Sequence, residues 1–229
     1  NIPIDTEIHV FMSQIAAPVV GITGSNGKST TTAMIEHILN AGGYHIWLGG
    51  NIGRSLLEEL PNIKPDHRVV LELSSFQLER LKNISPHVAV ITNLTPNHLD
   101  RHKTMENYAK AKQNILRYQK EKDFCILNGR DVEVRNWHTI TSAQPMIFGS
   151  LEGDVFVQDD WIMAKNQGIK IPILKTSEIP LPGRVNQENA MAASCVALSQ
   201  GISVETIASA LRNFSGLPHR LEFLGIKAG

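Results

Sequence analysis

The sequence predicts an α/β fold, a mostly parallel sheet flanked by helices with a small antiparallel meander at its margin, and three observations predict it. Short apolar runs alternate with helical patterns through the first half of the chain. One of those runs enters a glycine-broken turn and then a helix. Beyond Val155 the pattern changes to short runs joined by tight turns.

The strand-like runs are Val19 to Thr23, His45 to Leu48, Val69 to Leu71, Val88 to Thr92 and Phe124 to Leu127, and helical patterns cover 29 to 41, 54 to 60, 76 to 82 and 105 to 118. Alternation of this kind requires crossovers, and so a parallel sheet with helices on both faces. In the first helix Met34, Ile35, Ile38 and Leu39 recur at helical spacing until Asn40-Ala41-Gly42-Gly43 supplies a stop. Val155 to Val157, Trp161 to Ala164 and Ile169 to Ile173, with Asp159-Asp160 and Asn166-Gln167-Gly168 between them, read as an antiparallel meander. Pro180-Leu181-Pro182-Gly183 then punctuates the chain before two closing helices, 186 to 200 and 204 to 212, separated by Gly201.

A length of 229 residues suits one large α/β domain with a smaller appendage. The 22 basic residues balance 22 acidic ones and form no long block, which argues against a nucleic-acid or acidic-membrane surface. Cys125 and Cys195 are isolated, without metal-ligand spacing, as expected of reduced thiols in the cytosol. No apolar run approaches a membrane span, and residues 1 to 18 lack the pattern of a signal peptide. The expectation is a soluble, monomeric, cytoplasmic protein.

The chemistry begins at Val19-Val20-Gly21-Ile22-Thr23-Gly24-Ser25-Asn26-Gly27-Lys28-Ser29-Thr30. Gly24 and Gly27 let the backbone curl so that successive N–H groups point at phosphate oxygens, and the helix starting near Ser29 adds its positive dipole end. Lys28 would then reach the β- and γ-phosphates, and Ser29 or Thr30 a magnesium ion. The strict pattern places glycine where Ile22 stands, so this is a variant with Gly21 one place early.

Ligands of an open parallel sheet gather beyond the carboxyl ends of its strands, and four successive strand ends here are polar or glycine-rich. They are the phosphate loop, Gly49-Gly50-Asn51-Ile52-Gly53, Glu72-Leu73-Ser74-Ser75 and Asn93 through His98. A carboxylate at Glu72, after Val69-Val70-Leu71, is costly to bury unless paired or bound to a cation, and magnesium beside a triphosphate is the obvious cation. The competing reading has Glu72 capping the helix from Phe76. His98, Asp100 and His102 lie at alternate positions, but no further zinc ligands stand at familiar spacings. One histidine is expected to face the nucleotide and the others to serve the loop. Lys110 and Lys112 are two apart and share no helix face, leaving one of them free to point inward.

The phosphate loop, the Gly49 to Gly53 string, Glu72-Leu73-Ser74-Ser75-Phe76-Gln77-Leu78-Glu79, Asn93-Leu94-Thr95-Pro96-Asn97-His98-Leu99-Asp100-Arg101 and Gly216-Leu217-Pro218-His219-Arg220 occur in that order. Together they resemble the muramyl ligases of peptidoglycan synthesis, over nearly the whole chain. Within that family the Glu72 to Glu79 string is similar to the branch that adds D-glutamate to UDP-N-acetylmuramoyl-L-alanine. The resemblance implies a P-loop sheet and an ATP-driven ligation. The L-alanyl carboxylate becomes an acyl phosphate, which the amine of D-glutamate attacks to give an amide, ADP and phosphate.

By the same resemblance Gly24, Ser25, Asn26, Gly27, Lys28, Ser29 and Thr30 cradle the ATP phosphates, Ser29 and Glu72 ligate a first magnesium, and His98 a second. Lys112 matches a lysine that becomes carbamylated and helps to hold the second metal. Asn51, Ser74 and Gln77 match positions near the muramyl substrate, Asn186 and Asn189 the adenine side, and His219 and Arg220 a segment near the nucleotide. Val185 and Asn97 depart from the family pattern, which commonly has a histidine and an acidic residue there. The implied domains are 1–18, the tail of a uridine-binding domain; 19–220, the central ATP-binding domain; and 221–229, the start of a ligase domain. On its own such a fragment is expected to be inactive. Two alternatives stay open: another muramyl or folylpolyglutamate-type ligase, and a nucleotide-binding module without turnover.

Overall fold

The computed structural model describes residues 5–53 and 55–217. Among them nine strands form one sheet: β1 (Val19–Thr23), β2 (Ile46–Gly50), β3 (Arg68–Glu72), β4 (Val88–Ile91), β5 (Phe124–Asn128), β6 (Gln144–Phe148), β7 (Val155–Gln158), β8 (Trp161–Asn166) and β9 (Ile169–Lys175). The order across the sheet is β2-β3-β1-β4-β5-β6-β7-β8-β9. Pairing is parallel from β2 to β7 and antiparallel between β7, β8 and β9. The helices are α1 (Glu7–Gln14), α2 (Lys28–Ala41), α3 (Ser75–Glu79), α4 (Leu99–His102), α5 (Met105–Gln113), α6 (Val132–Arg135), α7 (Arg184–Ser199) and α8 (Val204–Arg212).

The expected sheet, flanking helices and antiparallel margin are all present. A parallel strand buried on both faces must be apolar throughout, and successive side chains then divide between two cores. Val20, Ile22, Val70, Val88, Val90 and Ile126 face Met34 and Ile38 of α2, Val196 of α7 and Ile207 of α8. Val19, Val69, Leu71, Ala89, Ile91 and Leu127 face the other way, onto Phe11 and Met12 of α1, Leu78 of α3 and Ile115. Residues 7–14 thus belong to the same core as the sheet.

Several expectations need correction. Where a helix is expected over 54 to 60, the described residues form a 3₁₀ turn, Leu57–Asn62, with Pro61 inside it, since proline removes a helical donor. The helix expected over 76 to 82 is only Ser75–Glu79. The one expected over 105 to 118 ends at Gln113, beyond which Ile115 N bonds to Lys112 O and Leu116 N to Gln113 O in tighter turns. The second strand is displaced to Ile46–Gly50 and the third runs on to Glu72, setting Gly50 opposite the carboxylate residue. The strand β6 was not legible, since Gln144-Pro145 interrupts its apolar pattern, yet it joins the meander to β5. The sequence pattern does not show the short helices α1, α4 and α6 either. No helix among the described residues is long and apolar enough to cross a membrane.

Candidate active site

The loop between β1 and α2 carries the first group of candidate residues. Gly27 is the residue before α2 and has φ +82°, a left-handed conformation that side chains resist; a Cβ there would also lie 2.5 Å from Asn189 Oδ1. α2 begins at Lys28, so the amides of Ser29 and Thr30 lie in its first turn, at the positive end of the helix dipole. The Ser29 and Thr30 side chains are buried. The ammonium of Lys28 lies over the loop, donating to Gly24 O at 3.0 Å and Ser25 O at 3.2 Å.

The side chains of Ser25 and Asn26 are turned toward the loop after β4. Ser25 Oγ donates to Thr95 O at 2.8 Å and lies 3.2 Å from the Tyr108 hydroxyl, while Asn26 Nδ2 donates to Thr95 Oγ1 at 3.2 Å. Their backbone amides are also taken, by Asn93 O and Asn93 Oδ1. The amides of Ser25 and Asn26 are thus committed to the loop after β4.

Glu72 pairs across β3–β1 with Ile22, two residues before Gly24. It is buried, its Oε1 accepts from Asn51 Nδ2 at 3.0 Å, and its Oε2 has no hydrogen-bond partner. The capping alternative is overturned: α3 is capped by Ser74, whose Oγ accepts from Gln77 N, while Gln77 Oε1 accepts from Ser74 N at 2.9 Å. A buried carboxylate oxygen with no donor is expensive, and a cation would satisfy it. With the Ser29 hydroxyl the donors are all oxygen, the set that magnesium favours.

Of the two lysines on α5, Lys110 is exposed and paired with Glu106, and Lys112 is buried. The Lys112 ammonium donates to Gly24 O at 2.8 Å and Thr23 Oγ1 at 3.2 Å, and stands 4.7 Å from the Tyr108 ring centroid. Desolvation, with the Lys28 charge as a smaller cause, pushes its pKa down to about 7. Lys28 and Lys112 therefore share one carbonyl, that of Gly24.

His98 is exposed, has φ +53°, and touches the Phe76 ring edge-on at 5.0 Å. His102 is the buried one: its Nε2 shares a 2.9 Å hydrogen bond with Ser75 Oγ, its ring stacks on Phe76, and burial holds its pKa below the usual histidine value. Asn51 is exposed beside Glu72, and Ser74 and Gln77 are half-buried and bonded to each other. Asn186 and Asn189 are buried in a relay: Thr31 Oγ1 donates to Asn189 Oδ1, Asn189 Nδ2 to Asn186 Oδ1, and Asn186 Nδ2 to Pro182 O. They line a cleft of about 520 Å³ with Gly27, Thr30, Gly183 and Val185, immediately beside the phosphate loop. His219 and Arg220 lie outside the described residues.

The structure thus brings the phosphate loop, Glu72, Lys112, Asn51 and the two asparagines together, and leaves His98 out on the rim. Sequence reasoning missed Thr23, Asn93 and Tyr108. Only the polar residues at the ends of apolar runs hinted at the first two, and nothing in the spacing singled out Tyr108.

A family model described as the Mur ligase middle domain matches residues 22–197. A UDP-N-acetylmuramoylalanine–D-glutamate ligase of Bacillus mycoides is 39% identical over 227 residues, covering 98% of this chain and 50% of the relative. One of the same name from Symbiobacterium thermophilum is 42% identical over 225 residues, covering 96% and 49%. The chain therefore spans about half the length of the curated relatives it matches. Among solved structures, MurF of Acinetobacter baumannii aligns with a TM-score of 0.76 at 24% identity, over 94% of this chain and 50% of that one. MurF ligase of Thermotoga maritima, solved in complex with ADP, aligns with a TM-score of 0.70 at 21% identity, over 93% and 52%. At those identities the structures establish a shared fold.

Proposed function

Since the chain belongs to the Mur ligase family, as the match to its middle domain and the relatives at 39 to 42% identity show, we propose that it is the ATP-binding central part of the enzyme that adds D-glutamate to UDP-N-acetylmuramoyl-L-alanine in the cytoplasm. The observation that carries the nucleotide assignment is the buried Glu72 carboxylate, with one oxygen unbonded, on the strand next to the phosphate loop. The choice of D-glutamate rests on the names of the relatives.

In this reading ATP lays its base in the cleft at Val185, Asn186 and Asn189 and its phosphates on the start of α2. Lys28 exchanges its loop carbonyls for the β/γ-phosphates, offsetting charge that builds up during transfer. Ser29 and Glu72 would hold magnesium, which when bound neutralises phosphate charge and polarises a phosphoryl oxygen. His98 and Lys112 would hold a second ion. A lysine titrating near pH 7 is partly a neutral amine, and such an amine adds carbon dioxide, releasing one proton and gaining an anionic carbamate. We place the substrate's muramyl end at Asn51, Ser74 and Gln77. The γ-phosphoryl group passes to the L-alanyl carboxylate, ADP leaves, and the D-glutamate amine displaces phosphate to form the amide. Much of the acceleration is positioning, which supplies roughly 7 to 11 kcal/mol when both reactants are aligned.

The test is an assay of a chain of the relatives' full length with UDP-N-acetylmuramoyl-L-alanine, ATP, magnesium and single amino acids. D-Glutamate alone should release phosphate and form product; preference for another amino acid would assign it to a sister ligase. The present chain by itself should bind ATP with magnesium and release no phosphate above a substrate-free control.

A further inference from the structure

We propose that Asn93 is a positioning residue that holds the phosphate loop in its nucleotide-binding shape, by gripping both sides of Asn26 with one carboxamide. The inference rests on the reading of that loop as the nucleotide site.

Asn93 Oδ1 accepts from Asn26 N at 2.9 Å and Asn93 Nδ2 donates to Asn26 O at 3.1 Å. The side chain thus pairs with Asn26 as a neighbouring strand would. The Thr92 hydroxyl adds a 2.6 Å bond to the same carbonyl, and Ser25 N donates to Asn93 O at 3.0 Å. None of these contacts lies within a helix or strand, so the usual ladders do not account for them.

Their consequence follows from the peptide group itself. In a planar trans peptide the C=O and the following N–H point opposite ways. Holding the Asn26 carbonyl toward β4 therefore turns the Gly27 N–H away from β4, at the residue that takes the left-handed conformation and lines the cleft. A loop fixed before the ligand arrives gives up less conformational freedom on binding, which appears as affinity. A turn-forming role for Asn93 alone would need only one of its two amide atoms, and both are engaged with a single residue of another loop.

The experiment pairs amide hydrogen exchange with the affinity of a fluorescent ATP analogue and magnesium, on the chain and two variants. In Asn93→Ala, exchange at Asn26 should quicken about tenfold or more, while amides of β1 and α2 keep their parental rates, and the analogue should bind roughly tenfold more weakly. Asn93→Asp keeps the acceptor, so Asn26 should stay protected, while the lost donor and added charge weaken binding further. Affinity within twofold of the parent in Asn93→Ala would overturn the proposal. Faster exchange throughout β1 and α2 would do so as well, by showing that Asn93 serves global stability. A parental chain that binds no analogue would overturn the nucleotide reading and this proposal with it, whereas binding that survives Asn93→Ala removes the grip alone.

Discussion

On the nucleotide side of the site, Thr31, Asn186 and Asn189 are buried and bonded in series, and Lys28 and Lys112 meet at one carbonyl. On the acceptor side, Asn51 and His98 are exposed, and Ser74 and Gln77 are bonded chiefly to each other. The first region is built between β1, β4, α2, α5 and α7, with Glu72 at the end of β3. The second sits on the residues just after β2 and β3 and on two short helices, α3 and α4. The difference teaches that the residues proposed for phosphate and base are held by buried, long-range contacts, whereas those proposed for the muramyl end rest on local bonds at two strand ends.

Breaking the first region should have the largest effect. In a full-length ligase carrying this domain, Lys28→Ala should lower kcat/KM for ATP on the order of a hundredfold or more, since a preorganised charge at the transferring phosphate is lost. Near-parental turnover at saturating ATP and magnesium would place the phosphates elsewhere. Glu72→Gln comes next: it keeps the side-chain volume and removes the charge. Its magnesium requirement should shift upward at least tenfold with the melting temperature unchanged or raised, because a buried carboxylate lacking one partner is replaced by a neutral amide. A fall in stability with an unchanged magnesium titration would make Glu72 a structural residue.

How much of this was legible follows the same division. The phosphate loop and its helix were readable because glycines, lysine and hydroxyls act within one short segment, and the strand β1 was read to its exact ends, Val19–Thr23. Glu72 was readable as a charge in an apolar run. Which of Lys110 and Lys112 turns inward was not, since that depends on α5 meeting β1, a contact between residues far apart in sequence. Likewise the chain shows a histidine pair at 98 and 102, and only packing against Ser75 and Phe76 decides that the second is buried. The strand β6 escaped because its partner β5 supplies the pairing that Gln144-Pro145 does not advertise.

Lys112 gives a smaller effect that sharpens the comparison through pH. Its folded pKa is about 7 and its unfolded value near 10.4. Between these values the unfolded chain binds the proton and the folded chain does not, so this group makes stability rise with pH from about 7 to about 10. Below pH 7 its full penalty applies. Replacing it by methionine, which keeps the length and removes the charge, should flatten the difference in denaturation free energy between the two proteins above pH 10 and favour the variant by up to a few kcal/mol near neutrality. A difference that does not change between pH 7 and 10 would mean that Lys112 titrates as an exposed lysine.

The smallest effect belongs to the acceptor side. Ser74→Ala removes the acceptor that caps α3 and breaks its reciprocal bonds with Gln77, which should cost about 1 kcal/mol of stability. Ser74→Thr keeps a hydroxyl at the cap and should lose only part of that. Because the box is closed on itself and no hydrogen bond joins it to the phosphate loop among the described residues, neither variant should change ATP affinity beyond twofold. In a full-length ligase Ser74→Ala should instead raise KM for the muramyl substrate, as a residue that must open its cap to meet a ligand would. If ATP affinity fell with Ser74→Ala while Ser74→Thr restored it, α3 would be coupled to the nucleotide through Leu73, whose carbonyl accepts from Thr23 Oγ1 at 2.8 Å, and the two sides would have to be treated as one.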